Sequence, residues 1–132
     1  MKFAKRLPDS ELDVMLVIWE ANRPVTRMEI EEDLRRRTGK QDLAATTILT
    51  FLSRLLEKGF LTLEKHGKTN VYTAAVREED YLKFESQNFL GKLYGGSAKA
   101  FLASLCDEGS IDGQELAELR AFLNSAKEED FK

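Results

Sequence analysis

Cysteine and histidine, the side chains that most often bind metals or form cross-links, are almost missing from this sequence. Cys106 is the only cysteine and His66 the only histidine among 132 residues. An intrachain disulfide is therefore excluded, and we expect neither a metal site nor a bound cofactor. The sequence also lacks a Ser/His/Asp set and a glycine-rich phosphate loop. These absences predict that the protein is not an enzyme.

Long apolar runs are absent too. No stretch approaches the roughly 20 apolar residues that a membrane-spanning helix needs. The first ten residues, MKFAKRLPDS, carry basic side chains but lack the apolar segment of a signal peptide. We therefore expect a cytoplasmic protein.

The net charge is only −3, but the charges are unevenly distributed. Residues 1–75 hold 13 Lys and Arg against 11 Asp and Glu, a balance of +2, whereas residues 76–132 have a balance of −5. A modest basic face in the first part is compatible with binding to nucleic-acid phosphates. On charge alone, however, an ordinary solvated surface is the better interpretation.

The chain divides near residue 76, into residues 1–76 and 77–132 with different patterns. Apolar spacing predicts a first helix over residues 10–21, with Asp9 or Ser10 as its cap. The apolar side chains of this helix fall on two sides, which predicts that it is covered from two directions. They are Leu12, Met15, Leu16 and Trp19 on one side, and Val14 and Ile18 on the other.

Two further helices follow. Thr26 and Glu29 have the spacing of a capping box, which begins a second helix that ends at Gly39. The apolar residues assigned to this helix are Met28, Ile30 and Leu34. One side of the third helix is apolar, with Ala44, Ile48, Phe51, Leu52 and Leu55. The opposite side carries Thr46, Thr50, Ser53 and Glu57, flanked by Thr47, Arg54 and Lys58.

A β-hairpin is expected next. Residues 60–65 and 69–73 read as two short strands around a turn at His66-Gly67. Three helices and a hairpin, in this order, are typical of a winged helix-turn-helix domain, with the third helix as recognition helix and the hairpin as wing. The predicted fold class is therefore mainly α with a small β-hairpin: an N-terminal winged helix-turn-helix domain and a C-terminal helical dimerisation region.

The exposed side of the third helix suits DNA. An α-helix fits the major groove, where short hydroxyl side chains contact base edges and threonine methyls meet thymine methyls. The predicted base-reading residues are Thr46, Thr47, Thr50 and Ser53. The basic residues placed to hold phosphates are Arg54, Lys58, Lys65 and Lys68. One alternative is that these side chains merely coat a solvated helix face. Another is a protein-interaction module, because winged helices also serve this role without binding DNA.

Residues 77–132 predict three short amphipathic helices, with breaks at Gly95-Gly96 and before Asp112. Such helices make a thin core and leave apolar faces uncovered. We expect a second copy of the chain to cover them, the alternative being that they fold back onto the winged helix. The predicted interface residues are Leu82, Leu90, Leu93, Phe101, Leu102, Leu105, Leu119, Phe122 and Leu123.

The sequence resembles the BlaI/MecI family of penicillinase and methicillin-resistance repressors from about residue 7 to residue 124. The matching positions include Glu11, Val14-Met15, Ile18-Trp19, Thr47-Ile48, Arg54-Leu55, Lys58-Gly59-Phe60, Tyr94-Gly95-Gly96 and Glu115-Leu116. The resemblance implies a homodimeric repressor that binds an inverted-repeat operator in double-stranded DNA. It also implies inactivation by a membrane sensor metalloprotease, at a bond that corresponds to Asn88-Phe89.

Two departures from the family pattern limit what is carried over. Members that control β-lactam resistance carry basic residues early in the recognition helix, where this chain has Thr46 and Leu49. Control of genes unrelated to antibiotic resistance therefore stays an alternative. The copper-responsive branch has paired C-terminal cysteines, whereas Cys106 stands alone, which disfavours metal sensing.

Overall fold

The computed structural model describes residues 6–40, 43–126 and 128 of the chain. The elements in chain order are α1 (Asp9–Ala21), β1 (Val25–Thr26), α2 (Arg27–Thr38), α3 (Ala45–Glu57), β2 (Leu61–His66), β3 (Thr69–Ala74), α4 (Glu78–Tyr94), α5 (Ala98–Glu108) and α6 (Gly113–Ser125). The predicted fold class is confirmed, because helices dominate and the described strands form a small antiparallel sheet. Two compact units divide between Glu85 and Ser86.

The first helix, α1, starts without a side-chain cap. The backbone N–H of Leu12 donates to the carbonyl of Pro8 at 2.9 Å, so Pro8 is the N-cap residue. The prediction of a cap at Asp9 or Ser10 was therefore wrong. Val14 and Ile18, on one side of α1, are at most 2% exposed. On the other side Met15 is fully buried, whereas Leu12, Leu16 and Trp19 are only partly covered.

The predicted capping box of α2 is present. Thr26 Oγ1 accepts a hydrogen bond from the Glu29 N–H at 3.2 Å, and the Thr26 N–H donates to the Glu29 carboxylate at 2.9 Å. The Arg23 guanidinium also donates to this carboxylate at 2.8 Å. The bond from Arg23, and then that from Thr26, lowers the pKa of Glu29 to about 2. Gly39 ends the helix in the left-handed conformation, with φ of 73°, as predicted.

The core of the first unit is formed where α1, α2, α3 and the sheet meet. The helices α2 and α3 contribute side chains that are at most 2% exposed, namely Ile30, Leu34, Ile48, Leu52 and Leu55. Met28 was assigned to this core from the sequence, but it is 71% exposed. The assignment was wrong because Met28 lies roughly 160° around the helix from Ile30, on the outer side of α2.

The hairpin belongs to a three-stranded sheet with the order β1-β3-β2. The sequence predicted β2 and β3, but it gave no sign of β1, which is only two residues long. Val25 pairs with Tyr72 and Thr26 with Val71, both antiparallel. Because Thr26 is also the cap of α2, β1 attaches the wing directly to the start of that helix.

The first turns of α4 belong to the first unit. Tyr81 is fully buried, and its ring lies 5.9 Å from that of Trp19 and 5.5 Å from that of Phe60, between ring centroids. The division therefore falls inside α4 rather than at residue 76, where the sequence suggested it. Leu82, assigned from the sequence to the dimer interface, is half exposed and lies in this first unit.

The Tyr81 hydroxyl holds the chain that enters α1. It accepts a hydrogen bond from the Leu7 N–H at 2.7 Å and donates to the Glu85 carboxylate at 2.8 Å. The Arg6 guanidinium donates to the same carboxylate. Burial is the main cause that raises the pKa of Tyr81 to about 12, so the phenol stays protonated and keeps donating across the neutral range.

The second unit has a thin core, as the sequence predicted. Its centre is aromatic: the ring centroids of Phe89 and Phe101 lie 5.4 Å apart, and Tyr94 lies 5.8 Å from Phe89 and 5.4 Å from Phe101. Neither α5 nor α6 contains a buried residue among those described. Side-chain caps begin these two helices: Ser97 Oγ accepts a hydrogen bond from the Ala100 N–H at 3.0 Å, and Asp112 Oδ1 accepts one from the Glu115 N–H at 2.8 Å.

A buried carboxylate joins α1 to the end of α3. Glu11 is 1% exposed, and its Oε1 accepts a hydrogen bond from Lys58 Nζ at 2.5 Å. Lys58 directly follows the last residue of α3, and its side chain is 38% exposed. The Glu11 carboxylate therefore lies inside the unit, and the ammonium group of Lys58 compensates its charge from the edge.

We expect Lys58→Met to lower the free energy of unfolding by roughly 2–3 kcal/mol, because it leaves the buried Glu11 carboxylate without its counter-ion. The half-exposed position of Lys58 keeps this cost below that of a fully buried pair. The double variant Glu11→Met/Lys58→Met removes both charges and should recover most of the loss. The measurement is urea denaturation of the full chain.

Arg54→Met is the matched control, because Arg54 is an exposed cation of α3 without an ion pair among the described residues. It should change the free energy of unfolding by no more than about 0.5 kcal/mol. A Lys58→Met variant as stable as the wild type would show that the pair does not hold α3.

Candidate nucleic-acid interface

The helix α3 has one buried and one exposed face, as its sequence predicts. Ile48, Leu52 and Leu55 are at most 1% exposed and pack into the core of the first unit. The predicted base-reading residues all lie on the outer face and are exposed, namely Thr46, Thr47, Thr50 and Ser53. The core therefore fixes which side chains α3 presents to the outside.

The hydroxyl group of Thr50 is partly engaged. Its Oγ1 donates to the carbonyl of Thr46, one turn earlier, at 2.9 Å. The proton of this hydroxyl is therefore committed to the helix backbone, and Thr50 offers its methyl group and an acceptor lone pair to the outside. Such a side chain suits the methyl of thymine, or the amino group of adenine or cytosine, in the major groove.

The start of α3 is suited to negative charge. The first turn contains no acidic residue, and Ala44 at the N-cap provides no side-chain cap. The positive end of the helix dipole is therefore not offset by a carboxylate within that turn. A phosphate near Thr46 and Thr47 would be stabilised by this field.

The wing carries two of the predicted phosphate-binding residues. Lys65 lies in β2 and pairs with Asn70, and Lys68 lies in the turn that joins β2 to β3. Both side chains are exposed, and neither has an ion pair within the described part of the chain. His66 lies between them, with its Nε2 3.3 Å from the Glu64 carboxylate.

The two basic residues near the end of α3 differ. Arg54 is exposed and has no carboxylate partner in the described ranges, so its guanidinium is available to a ligand. Lys58, which the sequence placed on the same DNA-binding face, instead donates to the buried Glu11. Lys58 is therefore removed from the group of candidate phosphate contacts, because its ammonium is committed to the fold.

The three consecutive arginines at the end of α2 each have a carboxylate partner. Arg35 lies 3.5 Å from Glu31, while Arg36 and Arg37 pair with Asp33 and Glu20 respectively. These pairs are local or bridge α1 and α2. On α3 and the wing, by contrast, Arg54, Lys65 and Lys68 have no carboxylate partner in the described ranges.

The structure reveals a groove that sequence reasoning missed. It has a volume of about 310 Å³, and its lining includes Arg27 and Met28 of α2, Leu49 of α3, and Lys68 of the wing. Leu49 is 44% exposed, so its side chain and that of Met28 give the groove an apolar part. One sign of this groove was present in the sequence: on a helix, the side chain of Met28 points away from those of Ile30 and Leu34.

The residues predicted to pair two chains lie mainly in the second unit. The most exposed are Leu93, Phe122 and Leu123, at 64%, 61% and 57%. The remaining ones in this unit are half-buried, namely Leu90, Phe101, Leu102, Leu105 and Leu119. The structure thus leaves apolar surface on α4 and α6 of this unit.

The Asn88-Phe89 bond lies inside α4. Asn88 is exposed, whereas Phe89 is half-buried and its ring contacts those of Tyr94 and Phe101. The peptide bond therefore has helical geometry in this structure. A protease that binds its substrate in an extended form reaches this bond only after α4 opens locally.

Within the described ranges, no group of three or more His, Cys, Asp or Glu side chains is arranged to hold a metal ion. None of the helices described is both long and apolar enough to cross a bilayer. Cys106 is exposed on α5.

Comparison with known proteins gives consistent relatives. A family model described as penicillinase repressor matches residues 7–125. The penicillinase repressor of Bacillus licheniformis is 33% identical over 127 residues, which are 96% of each chain. The methicillin resistance regulatory protein MecI of Mammaliicoccus sciuri is 30% identical over 118 residues, 89% of this chain and 93% of its own. A solution structure of the DNA binding domain of the repressor BlaI is 36% identical, with a TM-score of 0.50, over 61% of this chain and 94% of that domain.

The match to the family covers both units, because residues 7–125 run from before α1 to the end of α6. It confirms the resemblance inferred from the sequence. The relatives are repressors, and the similar solved structure is a DNA-binding domain, so the family is one of transcriptional repressors and not of enzymes. On this evidence the chain belongs to the penicillinase repressor family.

Proposed function

We propose that this protein represses transcription by binding an inverted-repeat operator as a homodimer. The observation that carries the proposal is the outer face of α3, where exposed hydroxyl side chains lie beside a cation, Arg54, without a described partner. Its relatives are repressors, and a structure of a related repressor is of its DNA binding domain. DNA in bacteria lies in the cytoplasm, so that is where the protein would act.

In this proposal α3 enters the major groove. Thr46, Thr47, Thr50 and Ser53 face the base edges, and the backbone contacts come from Arg54 and from Lys65 and Lys68 of the wing. The burial of Ile48, Leu52 and Leu55 keeps the reading face turned outward. Lys58 is not included, because it neutralises Glu11.

The surface of the second unit supports the dimerisation part of the proposal. Its helices α5 and α6 contain no buried residue among those described, and Leu93, Phe122 and Leu123 are more than half exposed. A second copy of the chain provides an equivalent apolar surface and places a second α3 on the other half of the operator. Folding back onto the winged helix is the alternative arrangement.

Regulation by proteolysis is the third part of the proposal. A membrane sensor metalloprotease would cut between Asn88 and Phe89, inside α4. The cut would separate the first unit from the apolar surface of α5 and α6, and so from the partner chain. The ring of Phe89, packed on Tyr94 and Phe101, would restrain the opening that the cut requires.

An interaction module without a DNA role is the competing function. The groove beside Met28 and Leu49 is an exposed apolar surface that a protein partner also suits. Salt-sensitive binding to duplex DNA distinguishes the two, because only the proposed repressor displaces counter-ions from phosphates. A purified protein that shows no salt-sensitive binding to duplex DNA would favour the module.

The reading face is tested with Thr50→Ala and Arg54→Ala in titrations of an operator recovered by selection from random duplexes. Thr50→Ala should reduce discrimination at one base pair of each half-site by roughly 0.5–1.5 kcal/mol, because it removes a single base-edge contact. Arg54→Ala should weaken binding to all sequences and reduce the salt slope by about 1, as expected for a lost phosphate contact.

Leu52→Ala is the control for folding, because it changes the buried face of the same helix. It should lower the free energy of unfolding by roughly 2–5 kcal/mol, whereas Thr50→Ala should change it by about 0.5 kcal/mol or less. If Thr50→Ala and Arg54→Ala both bind the operator as tightly and as selectively as the wild type, α3 does not read the DNA.

The dimer is tested with Phe122→Asp, which places a charge on the exposed apolar face of α6. Burying that charge at an interface costs several kcal/mol, so the variant should sediment as a monomer at micromolar concentration while the first unit stays folded. Asn124→Asp is the matched control, because it adds the same charge at an exposed polar position of the same helix. A monomeric wild-type protein under these conditions would rule out the dimer.

The cleavage site is tested by co-expression with candidate membrane sensor proteases under inducing conditions. N-terminal sequencing of the smaller fragment should begin at Phe89. Phe89→Ala should be cut faster, because the helix opens more readily without the packed ring, unless the protease itself requires the aromatic side chain. A cut at another bond, or none under any inducer, would contradict this part of the proposal.

A further inference from the structure

We propose that the groove between α2, α3 and the wing is a specificity site that takes the 5-methyl group of a thymine in each half-site. The inference rests on the proposed function, because it requires that α3 lies in the major groove. It adds two reading residues, Met28 and Leu49, that the pattern of hydroxyl side chains does not include.

The apolar part of the groove is unusually exposed. Met28 is 71% exposed and Leu49 is 44% exposed, although each lies on a helix whose other face is buried. They come from different helices and line the same groove of about 310 Å³. Two apolar side chains that meet at the surface in this way favour an apolar group on the ligand.

The charge around the groove favours a negatively charged ligand such as DNA over a basic or neutral partner. Arg27 and Lys68 contribute to its lining, and none of the lining residues carries a carboxylate. Lys68 has no ion pair in the described ranges. Arg27 pairs with Glu31, but that carboxylate also faces Arg35, so one positive charge of the three groups stays uncompensated.

The position of the groove points to the base edge. Leu49 lies on α3 between Ile48, which is buried, and Thr50, which is exposed on the proposed reading face. The groove is therefore continuous with the surface that would face the DNA. In the major groove the only apolar group on a base edge is the 5-methyl of thymine. Arg27 and Lys68 would then hold phosphates that flank this base.

The test removes the methyl group and nothing else. Full-length protein selects its operator from random duplexes, and each thymine of that operator is replaced in turn by deoxyuridine, which keeps the base pairing. One thymine in each half-site should be sensitive. Its replacement should lower the affinity of the wild-type protein about fourfold, because the burial of one methyl group is lost. Leu49→Ala and Met28→Ala should each bring the ratio of the two affinities close to 1 at that position.

Two controls separate the groove from general effects. Leu63→Ala changes a leucine that is also 44% exposed but does not contribute to the groove, and it should keep the fourfold ratio. Lys68→Met should weaken binding to both duplexes equally, because a phosphate contact does not sense the base. Melting curves of the full chain verify that each variant is folded. The comparison of thymine and deoxyuridine duplexes with the wild-type protein does not depend on any variant.

The outcomes distinguish this inference from the function on which it rests. A protein that selects no operator fails the proposed function itself. If the protein selects an operator but no thymine in it is sensitive to loss of its methyl group, only the inference about the groove is overturned. The same holds if Leu49→Ala and Met28→Ala keep the wild-type ratio, in which case the exposed apolar pair serves a protein partner instead.

Discussion

One ion pair, whose carboxylate is buried, fixes the end of the proposed reading helix α3 to α1. Apolar packing of Ile48, Leu52 and Leu55 holds α3 against the core, but such contacts are not directional and permit small rotations of the helix. The bond between Glu11 and Lys58 is directional, and its carboxylate is almost completely buried. It fixes the end of α3 to α1, and a small rotation there would change which side chains face outward.

Local patterns predicted much of the fold. The capping box of Thr26 and Glu29 and the two faces of α3 follow from spacings of three or four residues, which helical geometry imposes directly. The features that were missed depend on distant partners. Lys58 meets a carboxylate 47 positions away, and β1 exists only because β3 returns beside it. Neither two residues of strand nor one lysine carries a pattern that reveals such a partner.

The candidate site was predicted in part, and its charges explain why. A net charge of −3 gives no indication of DNA binding, because it does not show which cations are paired. Acidic partners neutralise the arginines of α2, whereas Arg54, Lys65 and Lys68 have no described partner. Exposure of the hydroxyl side chains of α3 was predictable from helical phase. The groove was not predicted, because Met28 was assigned to the core despite its helical position, and no local pattern shows that Leu49 and Met28, on different helices, line one groove.

The buried Tyr81 bears on how the proposed cleavage would act. Its bonds to Leu7 and Glu85, and its contacts with Trp19 and Phe60, all precede residue 88. A cut after Asn88 would therefore leave the core of the first unit complete, and the proposed affinity of each α3 for a half-site would be unchanged. What would be lost is bivalency, because the second half-site would no longer be bound at the high effective concentration that a tethered partner provides. Induction would then be a change of avidity, and the released fragments would remain folded competitors for single half-sites.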